Sequence, residues 1–234
     1  MSSNLEFETF FYISSDKLSL SVFKKGLVQD FYRDEIELNK DLKILDTSIN
    51  QFLDKNIIII EKKIKNFVNR INLVIKDKDI LPIQISIKKQ NFEKNIINDE
   101  LNYMLSDLSQ QIKKNNNDKT ILHMNIDEYI VDGIVYKSLE EGLEGENLTL
   151  KVNCYCFSNI KVKKFAEYLK KYQISIYKIY SIDYLKNFFL KSDLSECQMA
   201  RKIEDLNDIN EIKFVPRLKK NVGFFEKFFN LFNK

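Results

Sequence analysis

The residue types that most often build catalytic centres, metal sites and flexible linkers are scarce in this chain. Its 234 residues include one histidine, three cysteines, two prolines, five glycines and no tryptophan. So little glycine and proline argues against long flexible linkers between domains. Hydrophobic residues make up 44% of the chain and charged residues 30%. These fractions are ordinary for a folded protein with one large domain or two small ones.

The cysteines, at positions 154, 156 and 197, indicate buried thiols rather than a metal site. Cys154 and Cys156 are two residues apart in an apparent strand, so they share one of its faces. The sequence around them supplies no histidine and no second cysteine pair that could complete a zinc site. Buried, reduced thiols are the favoured interpretation, and they imply a reducing compartment.

Motifs of nucleotide binding and covalent catalysis are absent from the sequence. It contains no G-x-x-x-x-G-K-[ST] or G-x-G-x-x-G phosphate loop and no G-x-S-x-G nucleophile elbow. The lone His123 lies in an apolar run and is typical of a packed or surface residue. Asp127, Glu128 and Asp132 alternate in facing along a strand, which favours solvated edge charges over a catalytic carboxylate pair. The sequence therefore predicts a protein that is not an enzyme and has no cofactor and no metal.

Neither a membrane span nor a nucleic-acid surface is indicated. The chain has no apolar run near the roughly 20 residues that a spanning helix needs. Glu6 and Glu8 interrupt the early apolar residues where a signal peptide would lie. The 37 basic and 34 acidic residues leave a net charge of +3, whereas nucleic-acid binders concentrate positive charge on one face. We therefore expect no nucleic-acid partner, and we expect any membrane contact to be peripheral.

Hydrophobic periodicity predicts a mixed-sheet α/β fold. Alternating patterns predict strands over 5–13, 17–23, 27–38, 73–75, 83–87, 120–136, 148–157 and 174–180, with a further short strand over 212–215. Steps of three and four predict helices that start near residue 46 and cover 97–112, 160–172 and 181–190, with another around 197–203. The first helix is predicted to bury one face, made of Leu53, Ile57, Ile60, Ile64, Phe67 and Ile71.

The last residues, 222–234, form an amphipathic pattern of their own. At 100° per residue their apolar and polar side chains fall on opposite faces of a helix. The apolar face consists of Phe224, Phe225, Phe228, Phe229, Leu231 and Phe232. Lys219 and Lys220 precede this helix, and near an anionic leaflet each adds about 1 kcal/mol of attraction. The pattern is that of a helix lying in a membrane interface. The alternative is a terminal helix docked on the protein's own core.

The order of motifs in the middle of the chain carries a family resemblance. The motifs are Ile121-Leu122-His123-Met124, then Tyr129-Ile130-Val131-Asp132-Gly133, then the connection and strand over 143–150. The 160–172 helix and Tyr172-Gln173-Ile174-Ser175-Ile176 follow. This succession resembles the inserted 1C subdomain of FtsA, the actin-like membrane tether of bacterial cell division. PilM, a pilus-assembly relative with the same fold, is a rival template.

The N-terminus resembles the first phosphate turn of FtsA, with substitutions at two positions that matter. FtsA has a strand that runs into Asp-Ile-Gly-Thr-Ser-Lys, and Tyr12-Ile13-Ser14-Ser15-Asp16-Lys17 stands at the corresponding place. Tyr12 replaces the acid that would orient magnesium, and Ser14 replaces the glycine that lets the backbone approach phosphate. No counterpart of the second loop, Asp-x-Gly-Gly-Gly-Thr, follows. The resemblance thus implies a degenerate phosphate site at Tyr12, Ser14 and Ser15, in a partial actin-like, ribonuclease H-like fold.

The resemblance also implies a division of the chain and a function. The division is 1–90, like the start of FtsA; 91–190, a 1C-like module; 191–221, a connecting segment; and 222–234, the amphipathic helix. The function is that of a non-catalytic adaptor, peripheral on the cytoplasmic face of the inner membrane, in cell division or envelope assembly. Its module would self-associate or bind division or envelope proteins, and its tail would bind lipid. FtsZ binding is not carried over, because the FtsZ-binding part of FtsA has no counterpart here.

Two alternatives stay open on the sequence. The first is a soluble cytoplasmic interaction module whose tail helix docks on a partner protein. The second, less favoured, is an ATP-dependent enzyme, against which the substitution at Tyr12 argues.

Overall fold

Strands and helices follow one another along the chain in nearly the predicted order. A computed structural model describes residues 6–38, 45–95, 98–139, 143–190, 192–206 and 211–212. The strands are β1 (Phe7–Ile13), β2 (Lys17–Lys24), β3 (Asp30–Glu37), β4 (Arg70–Ile75), β5 (Leu81–Asn95), β6 (Lys119–Val131), β7 (Ile134–Tyr136), β8 (Glu144–Ser158) and β9 (Ser175–Ser181). The helices are α1 (Leu45–Ile64), α2 (Asn98–Asn115), α3 (Asn159–Lys170), α4 (Ile182–Lys186) and α5 (Glu196–Ile203). None of the helices in these ranges is both long and apolar enough to cross a bilayer.

The first sheet has the strand order β3-β2-β1-β4-β9. Strands β1, β2 and β3 form an antiparallel meander, whereas β4 lies parallel to β1 and β9 parallel to β4. Parallel neighbours need long crossovers, and α1 and the second sheet lie within these connections. An antiparallel meander continued by parallel strands on the far side of β1 is the arrangement of a ribonuclease H-like domain. The predicted fold class, mixed-sheet α/β, is confirmed.

Helices cover both faces of this sheet, which explains why β1 is buried along most of its length. The predicted stripe of α1 packs on one face, where Leu53, Ile57 and Ile60 are at most 2% exposed. Complete burial of each such side chain contributes about 1.5–3 kcal/mol. Helix α5 covers the other face, where Cys197 Sγ lies 3.8 Å from the carbonyl oxygen of Phe10.

The predicted face of α1 is wrong at its C-terminal end. The helix ends at Ile64, because Lys65 takes a left-handed conformation with φ 52° that stops it. Phe67 therefore lies outside the helix and is 78% exposed. Ile71 is buried as predicted, but as part of β4.

The second sheet is antiparallel, with the strand order β5-β8-β6-β7. Helix α2 packs on it with the predicted stripe that includes Leu101, Leu105 and Leu108. Cys154 and Cys156 lie in this core as free thiols, as the sequence predicted. Burial raises the pKa of Cys154 to about 12, which makes it a poor nucleophile.

Two strand predictions differ from the structure. The segment 120–136 is a hairpin rather than one strand, because Asp132 (φ 47°) and Gly133 (φ 87°) form a tight turn between β6 and β7. Strand β5 runs to Asn95 instead of residue 87, because the long strand β8 pairs with it beyond the alternating isoleucines. The division of the chain into domains stays a prediction. The two sheets do not follow the predicted boundary at residue 90. The second sheet begins with β5 at Leu81, and β9 belongs to the first sheet although it lies within 91–190.

Candidate functional site

The carboxyl ends of three parallel strands lie side by side at one end of the first sheet. Ile13, Ile75 and Ser181, the last residues of β1, β4 and β9, are aligned in register. In open α/β sheets ligands bind beyond this end. A cleft of about 350 Å³ lies there. Its lining includes four cationic side chains, from Lys17, Arg33, Lys76 and Lys186. Of the predicted degenerate phosphate site, Tyr12 lines this strand-end cleft, and Ser14 and Ser15 follow it in the turn after β1.

Tyr12 fills the position at which an acid would orient a metal ion. Its side chain is 3% exposed, and burial raises the pKa of its phenol to about 12, so the group is neutral. The ammonium of Lys17 lies 5.4 Å from the centre of its ring. A neutral phenol under a lysine has no charge with which to hold Mg²⁺.

The turn after β1 uses its own backbone donors. Ser14 Oγ accepts the N–H of Lys17 at 2.9 Å and lies 2.7 Å from Asp16 Oδ1. The N–H of Ser14 donates to the carbonyl oxygen of Lys17 at 3.0 Å. Phosphate-binding turns instead aim such N–H groups at the ligand. Ser14 is buried, and the N–H groups of Ser14, Asp16 and Lys17 all donate within the turn, so they are not aimed at a phosphate.

Carboxylates neutralise two of the four cations that line the cleft. Lys17 Nζ lies 3.0 Å from Glu196 Oε2, and an Arg33 nitrogen lies 2.7 Å from Glu35 Oε2. Glu196 is held in the first turn of α5, where Ser195 forms a capping box with Gln198. These ion pairs weaken the field that would attract a polyphosphate. Lys76 and Lys186 remain as cations in the lining.

A second polar cluster lies where the two sheets meet, and we call it the His123 junction. His123, from β6, is 1% exposed, so it is packed, one of the two environments that the sequence predicted. Its Nε2 accepts the N–H of Ser181, the last residue of β9, at 3.1 Å. The proton of the neutral ring is therefore on Nδ1, which donates to Glu211 Oε1 at 3.0 Å. The ring stacks on Tyr184 with 3.8 Å between centroids. One side chain thus joins both sheets to the segment after α5.

The charges of the His123 junction are tuned by burial and by one another. Burial lowers the pKa of His123, and the carboxylate of Glu211 offsets this only in part. Burial acts to raise the pKa of Glu211, but the hydrogen bond from His123 and the charge of Lys178 lower it overall. Lys178 Nζ lies 3.5 Å from Glu211 Oε2. The folded protein therefore favours a neutral imidazole beside an ionised carboxylate.

Acid is expected to weaken the fold through this junction. Because the pKa of His123 is lower in the folded chain than in the unfolded one, the unfolded chain binds a proton first as the pH falls below about 6.5. The free energy of unfolding should then fall by up to about 1.4 kcal/mol per pH unit. Urea unfolding between pH 7.5 and pH 5 measures this slope. His123 is the chain's one histidine, so the His123→Phe variant, which cannot titrate there, is the control. Equal slopes in both proteins would contradict the assignment.

Residues 211–212 lie beside β6. Asn125 and Glu211 form a β-bridge, and the N–H of Ile212 donates to the carbonyl oxygen of Met124 at 2.8 Å. The rest of the strand predicted over 212–215 lies outside the described residues. So does the whole predicted membrane-binding set: Lys219, Lys220, Phe224, Phe225, Phe228, Phe229, Leu231 and Phe232. That set stays a prediction, and the chain leaves the described region next to the second sheet.

Sequence reasoning missed the partners of His123. Glu211 is 88 positions away along the chain, and Ser181 contributes only its backbone. The sequence predicted a strand over 174–180 and a helix over 181–190, but no local pattern pairs Tyr184 with His123. Such contacts depend on how the two sheets meet, which periodicity does not report.

Three solved structures are similar in fold to this chain. One is a PilM-PilN type IV pilus biogenesis complex, with 9% identity, a TM-score of 0.49, and coverage of 81% of this chain and 51% of that chain. Another is the cytoplasmic domain of EpsL, an inner membrane component of the type II secretion system of Vibrio cholerae (10%, 0.38, 76% and 58%). The third is a Bacteroides thetaiotaomicron protein with an actin-like ATPase fold and unknown function (12%, 0.37, 81% and 58%).

This chain spans between half and three-fifths of the length of these three structures. No protein-family model and no curated protein matches it.

Proposed function

We propose that this protein is a non-catalytic, FtsA-like adaptor that binds the cytoplasmic face of the inner membrane through residues 222–234. It presents its second sheet and α3 to partners in bacterial cell division or envelope assembly. The body of the protein is a scaffold, and the affinity for lipid comes from the phenylalanines of the tail. PilM-like pilus assembly is one of the envelope processes that this proposal includes.

The observation that carries the proposal is the state of the strand-end cleft. Tyr12 is a neutral, buried phenol, the turn at Ser14 satisfies its own donors, and Glu196 neutralises Lys17. These features favour a scaffold over a nucleotide-driven motor. The tail supports the second half of the proposal, because its apolar face is entirely Phe and Leu.

Cosedimentation with liposomes tests the membrane role. The full chain should pellet with anionic vesicles, and a form truncated after Lys220 should not. Phe225→Glu/Phe228→Glu should lose binding at least tenfold, because each phenylalanine contributes up to about 1.5–3 kcal/mol when buried. The matched control is Asn230→Glu/Asn233→Glu, which adds the same charge on the polar face. This control should bind the vesicles more weakly only to the extent that its added negative charges are repelled by the anionic lipid.

Either of two results would contradict the membrane role. Equal pelleting of all four proteins would show that the body, not the tail, binds lipid. A full chain that stays in the supernatant would favour the soluble interaction module, whose tail helix docks on a partner protein. Saturable binding of a fluorescent ATP analogue, lost on substitution of Lys17, would contradict the nucleotide-free part of the proposal.

A further inference from the structure

The outer edge of the second sheet is the least protected strand edge of the described chain. β5 lies at the end of the order β5-β8-β6-β7, and within the described residues only β8 pairs with it. The seven residues from Leu81 to Ile87 carry no charge: Leu-Pro-Ile-Gln-Ile-Ser-Ile. An uncharged edge strand rich in β-branched residues presents unpaired N–H and C=O groups and is a template for another strand.

The first sheet shows how the same chain protects an edge. Its outer strand, β3, has the sequence Asp-Phe-Tyr-Arg-Asp-Glu-Ile-Glu, and the pairing that joins it to β2 is interrupted by a bulge at Val22 and Phe23. Charges and bulges are the usual means by which proteins prevent edge-to-edge pairing. Over Leu81–Ile87, β5 has neither a charge nor a bulge, and Pro82, the one residue there that blocks pairing, lies near the start of the strand. The contrast indicates that the β5 edge is covered in the working protein.

The side chains of β5 indicate what covers it. Ile83, Ile85 and Ile87 point to the inner face and pack against the core beneath α2, yet each stays partly exposed, since none of the described strands lies beyond them. Gln84 and Ser86 point outward and are exposed. A covering strand must therefore offer apolar residues on one face and uncharged polar residues on the other, at a period of two. β5 itself meets this requirement.

We propose that β5 pairs with β5 of a second copy of this chain, antiparallel and centred on Ile85. This inference rests on the proposed function, in which the second sheet binds partners, and it names a second copy of the chain as one of them. In this register Ile85 faces Ile85 of the second copy and Ile83 faces Ile87. On the outer face, Gln84 lies opposite Ser86. The two sheets become one continuous sheet about a two-fold axis, which is the commonest symmetry of homodimers.

The lysines that follow fix the register. With Ile85 on the axis, Lys88 lies opposite Pro82, which is at the end of the ladder where a missing N–H matters least. Lys88 of one copy is then about 20 Å from Lys88 of the other, at ~3.3 Å per residue. Moving the axis towards residue 88 would bring these like charges opposite each other, which is destabilising. The isoleucines and lysines thus favour the same alignment.

Charge swapping at the outer face tests the proposal without touching the core. The full chain should sediment at twice the mass of one chain. Gln84→Glu/Ser86→Glu and Gln84→Lys/Ser86→Lys should each be monomeric, because every substituted residue then faces a like charge. An equimolar mixture of the two variants should recover a dimer. The matched control is Thr149→Glu/Asn153→Glu on β8, which lies one strand in from the edge and should leave the dimer intact.

Cysteine crosslinking tests the register. Ile85→Cys should give a covalent dimer on mild oxidation, because facing residues of an antiparallel pair are within disulfide reach. Ile83→Cys should not, since the two copies of residue 83 would be about 13 Å apart. A crosslink through Ile83→Cys but not Ile85→Cys would overturn the register.

Three results would overturn the pairing itself. They are a monomeric full chain over about a hundredfold range of concentration, charged variants that stay dimeric, and a mixture that stays monomeric. If only the form truncated after Lys220 dimerises, the chain's own tail covers the edge instead of a second copy. The readout is independent of liposome binding, so this inference and the membrane role fail separately.

Discussion

Replacing Arg201 with methionine is expected to lower the free energy of unfolding by about 3 kcal/mol, at the low end of the range for breaking a buried ion pair. Arg201 is on the buried face of α5, where it is 4% exposed, and its Nε lies 2.8 Å from Glu8 Oε2 on β1. The two atoms form an ion pair without good hydrogen-bond geometry. Methionine keeps the aliphatic packing, so the loss reports the ion pairs of Arg201 with Glu8 and with the half-exposed Asp205, of which the pair with the buried Glu8 carries the larger share. Urea unfolding monitored by circular dichroism measures it.

Two further proteins separate charge from packing at this site. In Arg201→Met/Glu8→Gln the buried carboxylate is gone as well, so at least half of the lost free energy should return. Lys202→Met, on the exposed side of the same helix, should change stability by less than about 0.5 kcal/mol. If the double variant is no more stable than Arg201→Met, the loss comes from the packing of α5 rather than from Glu8.

The pH dependence of the Arg201→Met defect gives a second check. Burial raises the pKa of Glu8 even beside Arg201, which acts to lower it. Without the arginine this pKa should rise further, so the folded variant binds a proton more readily than the unfolded one. Its deficit relative to the wild type should shrink as the pH falls towards 4.5.

The sequence predicted best what depends on neighbouring residues. The alternation of Leu18, Leu20 and Val22 in β2 and the stripe of α2 are local periodicities, and the structure buries both as predicted. The mixed-sheet α/β class followed from the order of such segments. The end of α1 was missed, because Phe67 continues the helical spacing and nothing local shows that Lys65 adopts a left-handed conformation.

What could not be predicted depends on pairing across the chain. The extension of β5 beyond residue 87 exists because β8 continues beside it, although residues 88–95 have no apolar alternation of their own. The ion pair of Arg201 with Glu8 joins residues from opposite ends of the described chain. The candidate cleft was predictable through Tyr12 and Ser14, which the family resemblance identified. The neutralisation of Lys17 by Glu196 was not, because α5 reaches β2 only in the folded protein.

Replacing His123 with phenylalanine is expected to lower the free energy of unfolding at pH 7.5 by about 2–6 kcal/mol. The substitution keeps an aromatic ring on Tyr184 but removes both nitrogens. The N–H of Ser181 and the carboxylate of Glu211 then lose their buried partner, and each unpaired group costs about 1–3 kcal/mol. The loss should also release residues 211–212 from β6. Hydrogen exchange at the N–H of Ile212, now bonded to Met124, measures that release.

Tyr155→Phe is the control for His123→Phe. Tyr155 lies beside the same ring, and its hydroxyl accepts one hydrogen bond from Asn187 at 2.7 Å. Its removal should cost about 1 kcal/mol and leave exchange at Ile212 unchanged. Faster exchange in His123→Phe alone would show that this histidine holds residues 211–212 on β6. Equal exchange in both variants would mean that the β-bridge to Asn125 holds residues 211–212 without the His123 junction. The junction would then join the two sheets only.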